Sequence, residues 1–261
     1  MAQVGASNPL ADARRAYNDG RFDDAIALAE TALADPATAN AAAVVLARAR
    51  LERSRAAPPG ETGTAADVEA ARAALKTVDA GRLTPGEHVE YLIGLGESLY
   101  LEEPPEYAAA AEFFEVALER AVAVAGGDRD VVFDWWAGAL DRLAQYGPES
   151  DRRTIYERVL AGAERHRRRD DASAVAWYWM AVAARGVGDI ERAWGSAVAA
   201  WIRAGALGPA GVALRQDVDR LVMQVLLPER ALHRAPADAR SALPMLQQQW
   251  NEIKARWRSR L

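Results

Sequence analysis

The sequence predicts an all-α fold: a right-handed solenoid of about five antiparallel helix–turn–helix pairs, closed by a C-terminal helical cap. Three observations carry this expectation. One small-residue pattern recurs, with Ala13 twelve residues before Ala25, Ala181 twelve before Ala193, and Leu95-Gly96 leading to Ala110 through a slightly longer turn. Ala, Arg, Leu, Glu and Asp dominate, and β-branched and aromatic residues seldom cluster as strands require. Clusters of Gly, Pro, Asn and Asp separate stretches whose apolar residues recur at three- and four-residue steps. The expected layout is a flexible segment over 1–9, a repeat array over 10–205 and a cap over 206–261.

The first pair runs from about Leu10 to Leu33. Leu10, Ala13, Ala16 and Tyr17 share a face, and Asn18-Asp19-Gly20 reverses the chain. Phe22, Ala25, Ile26, Ala29, Ala32 and Leu33 then form the apolar stripe of a second helix. A second pair spans Ala37 to Val78, split by the proline- and glycine-containing stretch 56–63. The third opens at Thr84-Pro85-Gly86-Glu87, a cap residue followed by Pro and then Glu at the third helical position. Pro104-Pro105 divides its two helices. The fourth pair covers Arg129 to about Arg168 around Gly147-Pro148, and the fifth covers Ala172 to Ala204 around Gly186-Val187-Gly188-Asp189. Two less regular helices follow, roughly Ala210 to Leu232 and Ala237 to Trp257.

Alanine and glycine at fixed helix positions let neighbouring helices approach closely, so these are packing residues. Their pattern resembles the tetratricopeptide repeat, whose consensus runs Trp-x-x-Leu-Gly-x-x-Tyr, then Ala-x-x-x-Phe, then Ala and Pro. In the fifth pair Trp177, Met180-Ala181, Ala184, Ala193-x-x-x-Ala197 and Ala200 fall in that register. In the third, Leu95-Gly96, Leu99, Ala110-x-x-x-Phe114 and Ala117 do so. The first pair offers Ala13, Ala16, Gly20, Ala25, Ala29 and Ala32. The likeness is weakest in the second and fourth pairs, and the spacing between copies implies units longer than the family's repeat of about 34 residues.

The resemblance implies a concave groove lined by the first helix of each pair. Mapped onto this chain, the groove presents Arg14, Tyr17 and Asn18 from the first pair, and Glu97 and Tyr100 from the third. The fourth adds Trp135, Asp141 and Arg142, and the fifth Tyr178, Val182 and Arg185. Some family members clamp a terminal carboxylate with basic and Asn residues. Val182 stands where that clamp needs a polar group, so this specificity is not carried over.

The expected function is therefore non-catalytic: a scaffold that holds a protein or peptide partner, with no cofactor and no metal. Cysteine is absent, which excludes disulfides and thiolate chemistry. His88, His166 and His233 stand far apart, without metal-ligand spacing. No phosphate loop, nucleophile elbow or dinucleotide fingerprint occurs. A net charge of -5 argues against general nucleic-acid binding. The run from Glu164 to Asp171 reads as helix-end cations followed by an acidic cap, and Arg256, Arg258 and Arg260 as another small solvated cluster.

Two other readings stay open. One is a structural or self-associating subunit, marked by an exposed apolar patch near Trp250 and Trp257. The other is a small-molecule or nucleic-acid sensor with a pocket of Trp177, Trp179, Trp194 and Trp201, although packing between helices is the commoner role for such residues. No apolar stretch is long enough to span a bilayer. The short polar start fits either a natural terminus or one left by removal of an export signal, so cytoplasm and periplasm both stay open.

Overall fold

Local chemistry sets the helix ends. The Asn8 side chain accepts from the Ala11 amide at 3.2 Å and Pro9 takes the first position, which starts α1 (Pro9–Asn18). Gly20 adopts φ +74°, a conformation costly to any residue with a Cβ, and the chain reverses into α2 (Phe22–Ala32). Next come α3 (Ala39–Ala56), α4 (Thr64–Lys76) and a 3₁₀ turn at Ala80–Arg82. Helix α5 (Pro85–Tyr100) begins with the expected capping box, in which Thr84 and Glu87 each accept from the other's backbone amide.

Then follow α6 (Tyr107–Ala121), α7 (Arg129–Tyr146), α8 (Glu149–Arg169), α9 (Ala174–Gly186) and α10 (Ile190–Ala206). Ser173 and Asp189 cap the last two through the Ala176 and Arg192 amides. A 3₁₀ turn at Gly208–Gly211 leads into α11 (Val212–Leu221), a π turn at Val222–Leu226 and α12 (Leu227–Arg234). Helix α13 (Ala239–Arg258) ends the described chain. This is a computed structural model describing residues 8–58, 64–121, 129–234 and 236–258; among them there is no strand. The expected break over 56–63, the flexible segment over 1–9 and the C-terminal arginine cluster lie partly outside those residues.

The chain divides into two compact units, Met1–Ala139 and Leu140–Leu261, with the boundary inside α7. In the first, α1 packs on α2, α2 on α3, α3 on α4, α4 on α5 and α5 on α6. The first helices of the pairs also touch in turn, α1 on α3 and α3 on α5. The recurring small residues lie in these contacts: Ala13, Ala16, Ala25 and Ala29 are wholly buried around Ile26, Leu46 and Ala49. A second cluster joins Ala47, Leu51, Val68, Ala71 and Leu75. At Gly96 a Cβ would stand 2.6 Å from the Phe114 ring, so the Leu-Gly and Ala-x-x-x-Phe positions form one contact between α5 and α6.

In the second unit, α8 packs on α9 and α9 on α10. Helices α11 and α12 also pack on α10. Ala181, Ala184, Ala193, Ala197, Ala200, Trp201, Val218, Leu226 and Trp250 share one core. The terminal helices share the core of the last pair. Trp250 is wholly buried and meets Trp201 and Trp194 edge-on, each at 5.8 Å. The exposed patch that would mark the self-associating alternative is therefore not found at Trp250 itself. Trp257 is half-buried against the same core.

Candidate partner-binding face

The expected groove residues fall in both units. Arg14, Tyr17, Asn18, Glu97, Tyr100 and Trp135 belong to the first, whereas Asp141, Arg142, Tyr178, Val182 and Arg185 belong to the second. Four of the first set, Arg14, Tyr17, Asn18 and Glu97, lie at or beside one polar, partly enclosed site.

That site is organised by Arg48 of α3, a residue that sequence reasoning missed. It is 5% exposed, yet its guanidinium meets polar groups from both neighbouring helices. Nη2 donates to the Tyr17 hydroxyl of α1 at 2.7 Å, Nη1 lies 3.1 Å from Glu90 of α5, and Nε lies 3.2 Å from Glu97 of α5. Gly94 makes room for it, since a Cβ there would stand 3.3 Å from Arg48 Cδ. An Arg inside an Ala-rich helix carries no periodic signal for this role. The available signal was its register with Tyr17 and Glu97 on the flanking helices.

Glu97 corrects the expectation of an open groove position. It is 1% exposed, because α5 is packed by α3, α4 and α6 and so buries far more than one stripe. Among the described residues neither of its oxygens has a hydrogen-bond partner; the approach to Arg48 is a charge contact off the line a hydrogen bond needs. Burial is the largest influence and pushes this carboxyl up to about 8, against the pull of Arg48 and with added repulsion from Glu52 and Glu90. Burial also acts against the Arg48 cation, but Glu97, Tyr17 and Glu90 more than compensate and raise it further. The two shifts disagree about whether the pair is charged. Arginine does not lose its proton in proteins, and two carboxylates share this one guanidinium. The proton therefore sits on the less hydrated carboxylate, Glu97. Burial likewise pushes the Tyr17 phenol up to about 12, so it stays a neutral hydroxyl.

Beside Arg48 opens a cavity of about 180 Å³, lined by Arg14, Tyr17, Asn18, Val44, Val45, Arg48 and Glu90. All three residues expected from the first pair line it. Arg14 is held outward by a close ion pair with Glu87, and Glu90 is half exposed. Tyr100 and Trp135 instead form an aromatic cluster in the same unit. The Trp135 ring stacks on Phe114 at 5.6 Å, meets Tyr100 edge-on at 5.3 Å and carries the Arg55 guanidinium at 5.5 Å.

The remaining expected residues of the second unit make structural contacts. Asp141 accepts from the Tyr156 hydroxyl at 2.9 Å, tying α7 to α8. Arg185 grips Glu229 of α12 through Nη2 at 2.7 Å and Nε at 3.1 Å. Tyr178 lies edge-on to Trp179 at 5.2 Å, Val182 is half-buried and Arg142 is exposed. In place of the tryptophan pocket, Trp179 and Trp201 are buried, while Trp177 and Trp194 pack half-buried on the core. The arginine run serves its own helix end: Arg167 pairs with Asp171 at 2.9 Å, and Arg167 and Arg203 flank the Trp177 ring.

Among the described residues, no cluster of three or more His, Asp or Glu is placed to hold a metal ion, and no helix is long and apolar enough to cross a membrane. Comparison with known proteins finds no matching family model, curated protein or solved structure.

Proposed function

We propose that the chain is a non-catalytic interaction scaffold, a solenoid of the tetratricopeptide-repeat kind, whose α1–α3–α5 face holds a protein or peptide partner. The observation that carries this reading is the cavity beside Arg48. Three successive first helices supply its walls, and those are the helices that line the groove in the family the sequence resembles. Its mixture of valine, tyrosine, asparagine, arginine and glutamate suits side-chain recognition better than a uniformly charged or apolar surface would. The non-catalytic part rests on the missing catalytic motifs, and the acidic net charge of -5 favours a protein over a nucleic acid.

The test uses the full chain as bait in lysate of its source organism. Asn18→Trp combined with Glu90→Gln alters the cavity rim at exposed positions, and Val116→Glu on α6 is the control. The reading expects a partner kept by the native and Val116→Glu baits and lost by the rim variant. Equal retention by the rim variant would overturn it.

One observation favours a second reading, a self-associating subunit. Leu232 of α12 and Met245 of α13 are 57% and 59% exposed. Sedimentation at rising concentration, with Leu232→Glu/Met245→Glu as comparison, separates the two: mass growth abolished by the variant supports assembly.

A further inference from the structure

In the second unit, four guanidiniums share two carboxylates around α8, α9 and α10. Glu164 of α8 receives Arg192 of α10 in a close ion pair and lies 3.6 Å from Arg168 of its own helix. Asp171, in the α8–α9 connection, receives Arg167 of α8 at 2.9 Å and Arg203 of α10 at 2.8 Å. Arg203, foremost, and Arg167 hold the Asp171 carboxyl below its ordinary range, so it is ionised at neutral pH. Four positive charges thus meet two negative ones here, although the whole chain carries a net charge of -5.

Beside these pairs opens a cleft of about 530 Å³, within the range of about 300–1,000 Å³ usual for small-molecule sites. Its charged lining is Arg167, Arg168, Arg192 and Glu164, three guanidiniums to one carboxylate. The surplus is two positive charges, whether the lining alone is counted or Arg203 and Asp171 are added. Trp177 and Met180 of α9 supply the apolar part of the wall.

Gly195 of α10 lines the same cleft and has no packing reason to be glycine. It lies inside a helix, where alanine is the better former. At Gly96 and Gly186 a Cβ would stand 2.6 and 2.3 Å from an aromatic ring, which accounts for both. A Cβ at Gly195 would meet nothing within 4 Å, and its φ is not positive. The missing side chain serves the open space of the cleft instead.

We propose that this cleft binds a small organic phosphate monoester. At neutral pH that group carries a charge of about -1.5 to -2, which matches the surplus, and its oxygens suit the guanidinium fork. A carboxylate or a sulfate ester would offset only half of it. The organic body lies against Trp177 and Met180, in the room left at Gly195. Ion pairs bound the cleft: Glu164–Arg192 ties α8 to α10, and Asp171–Arg203 ties the α8–α9 connection to α10. A polypeptide running along the cleft would have to open one of them, whereas a compact molecule would not. The site lies within the second unit and is independent of the partner face in the first.

The experiment titrates the full chain, with labelled methionine methyl groups and glycine amides, in chloride buffer at about pH 7.5, above the second phosphate ionisation near 6. The probe is phenyl phosphate. Phenyl sulfate has the same shape with one charge, and isophthalate carries two charges on separate carboxylates. An acetylated, amidated Gly-Ala-Tyr-Ala-Gly phosphorylated on its tyrosine presents the probe on a polypeptide. Phenyl phosphate is expected to shift the Met180 methyl and Gly195 amide saturably and to leave the exposed Met245 methyl in place. It should bind about tenfold tighter than phenyl sulfate, because a second charge is neutralised. The double variant Arg168→Gln/Arg192→Gln should weaken it by about tenfold or more for the same reason. Gly195→Leu should fill the cleft and abolish the Met180 shift while the thermal unfolding midpoint holds or rises.

No saturable shift with phenyl phosphate would overturn the proposal, as would equal affinity for phenyl sulfate or isophthalate. Undiminished binding by either variant would do the same. Tighter binding of the phosphotyrosine peptide than of phenyl phosphate would overturn the assignment to a small molecule.

Discussion

At Glu97 two demands compete, removal of a carboxyl group from water and the attraction of a neighbouring guanidinium. Burial wins because Arg48 is shared with Glu90. The unfolded chain ionises this residue near about 4.3, whereas the folded chain keeps the proton up to about 8. Between those values the folded state binds a proton that the unfolded state does not. The group's contribution to stability is therefore full below about 4.3 and is lost as pH rises through about 8. Glu97→Gln mimics the protonated form at every pH. Thermal unfolding from pH 5 to 8.5 should show the native midpoint falling relative to that variant's; parallel profiles would contradict the assignment. Gly96 gives a packing test, since a Cβ there would meet the Phe114 ring at 2.6 Å. Gly96→Ala should cost about 1–3 kcal/mol in denaturant unfolding, and a neutral result would mean the ring can move aside. Gly96 was legible from its place in the repeat pattern. Glu97 was not, because a one-stripe reading of α5 ignores the three helices packed around it.

At the scale of elements, ends and turns were the most readable features, since each rests on interactions within a few residues. The capping box at Thr84, the reversal at Gly20 and the breaks at Pro104-Pro105 and Gly147-Pro148 all fall between helices where the sequence places them. Thr84→Ala should lower stability by about 1 kcal/mol, measured by denaturant unfolding, by removing the acceptor for the Glu87 amide. Contacts between distant elements were illegible. Glu191 of α10 receives Arg230 and Arg234 of α12 in paired hydrogen bonds of 2.9–3.0 Å. Arg230, foremost, and Arg234 hold the Glu191 carboxyl down at about 2, despite some opposing burial. Its stabilising effect is present above about 4.3 and disappears as pH falls through about 2. Glu191→Ala strands the buried Arg230 guanidinium and should lower stability by about 1–3 kcal/mol at pH 7. An unchanged unfolding midpoint would mean that the Trp194 ring, 4.5 Å from Arg230, suffices to hold it.

For the molecule as a whole, the small-residue repeats anticipated helices that pack on their neighbours in sequence. They did not anticipate the division into two units, because α7 runs unbroken through Ala139 and Leu140 and no turn or proline marks the place. The same division separates the expected groove residues and leaves Arg14, Tyr17, Asn18 and Glu97 around Arg48 as the set with a shared site. The central claim is that a partner docks on the α1–α3–α5 face. Site-specific photo-crosslinking in source-organism lysate addresses it most directly, with benzoylphenylalanine placed at Asn18 on the cavity rim or at Val116 on α6. One protein crosslinked from position 18 and absent from position 116 is the predicted result. The same protein crosslinked from position 116 and never from 18 would contradict it.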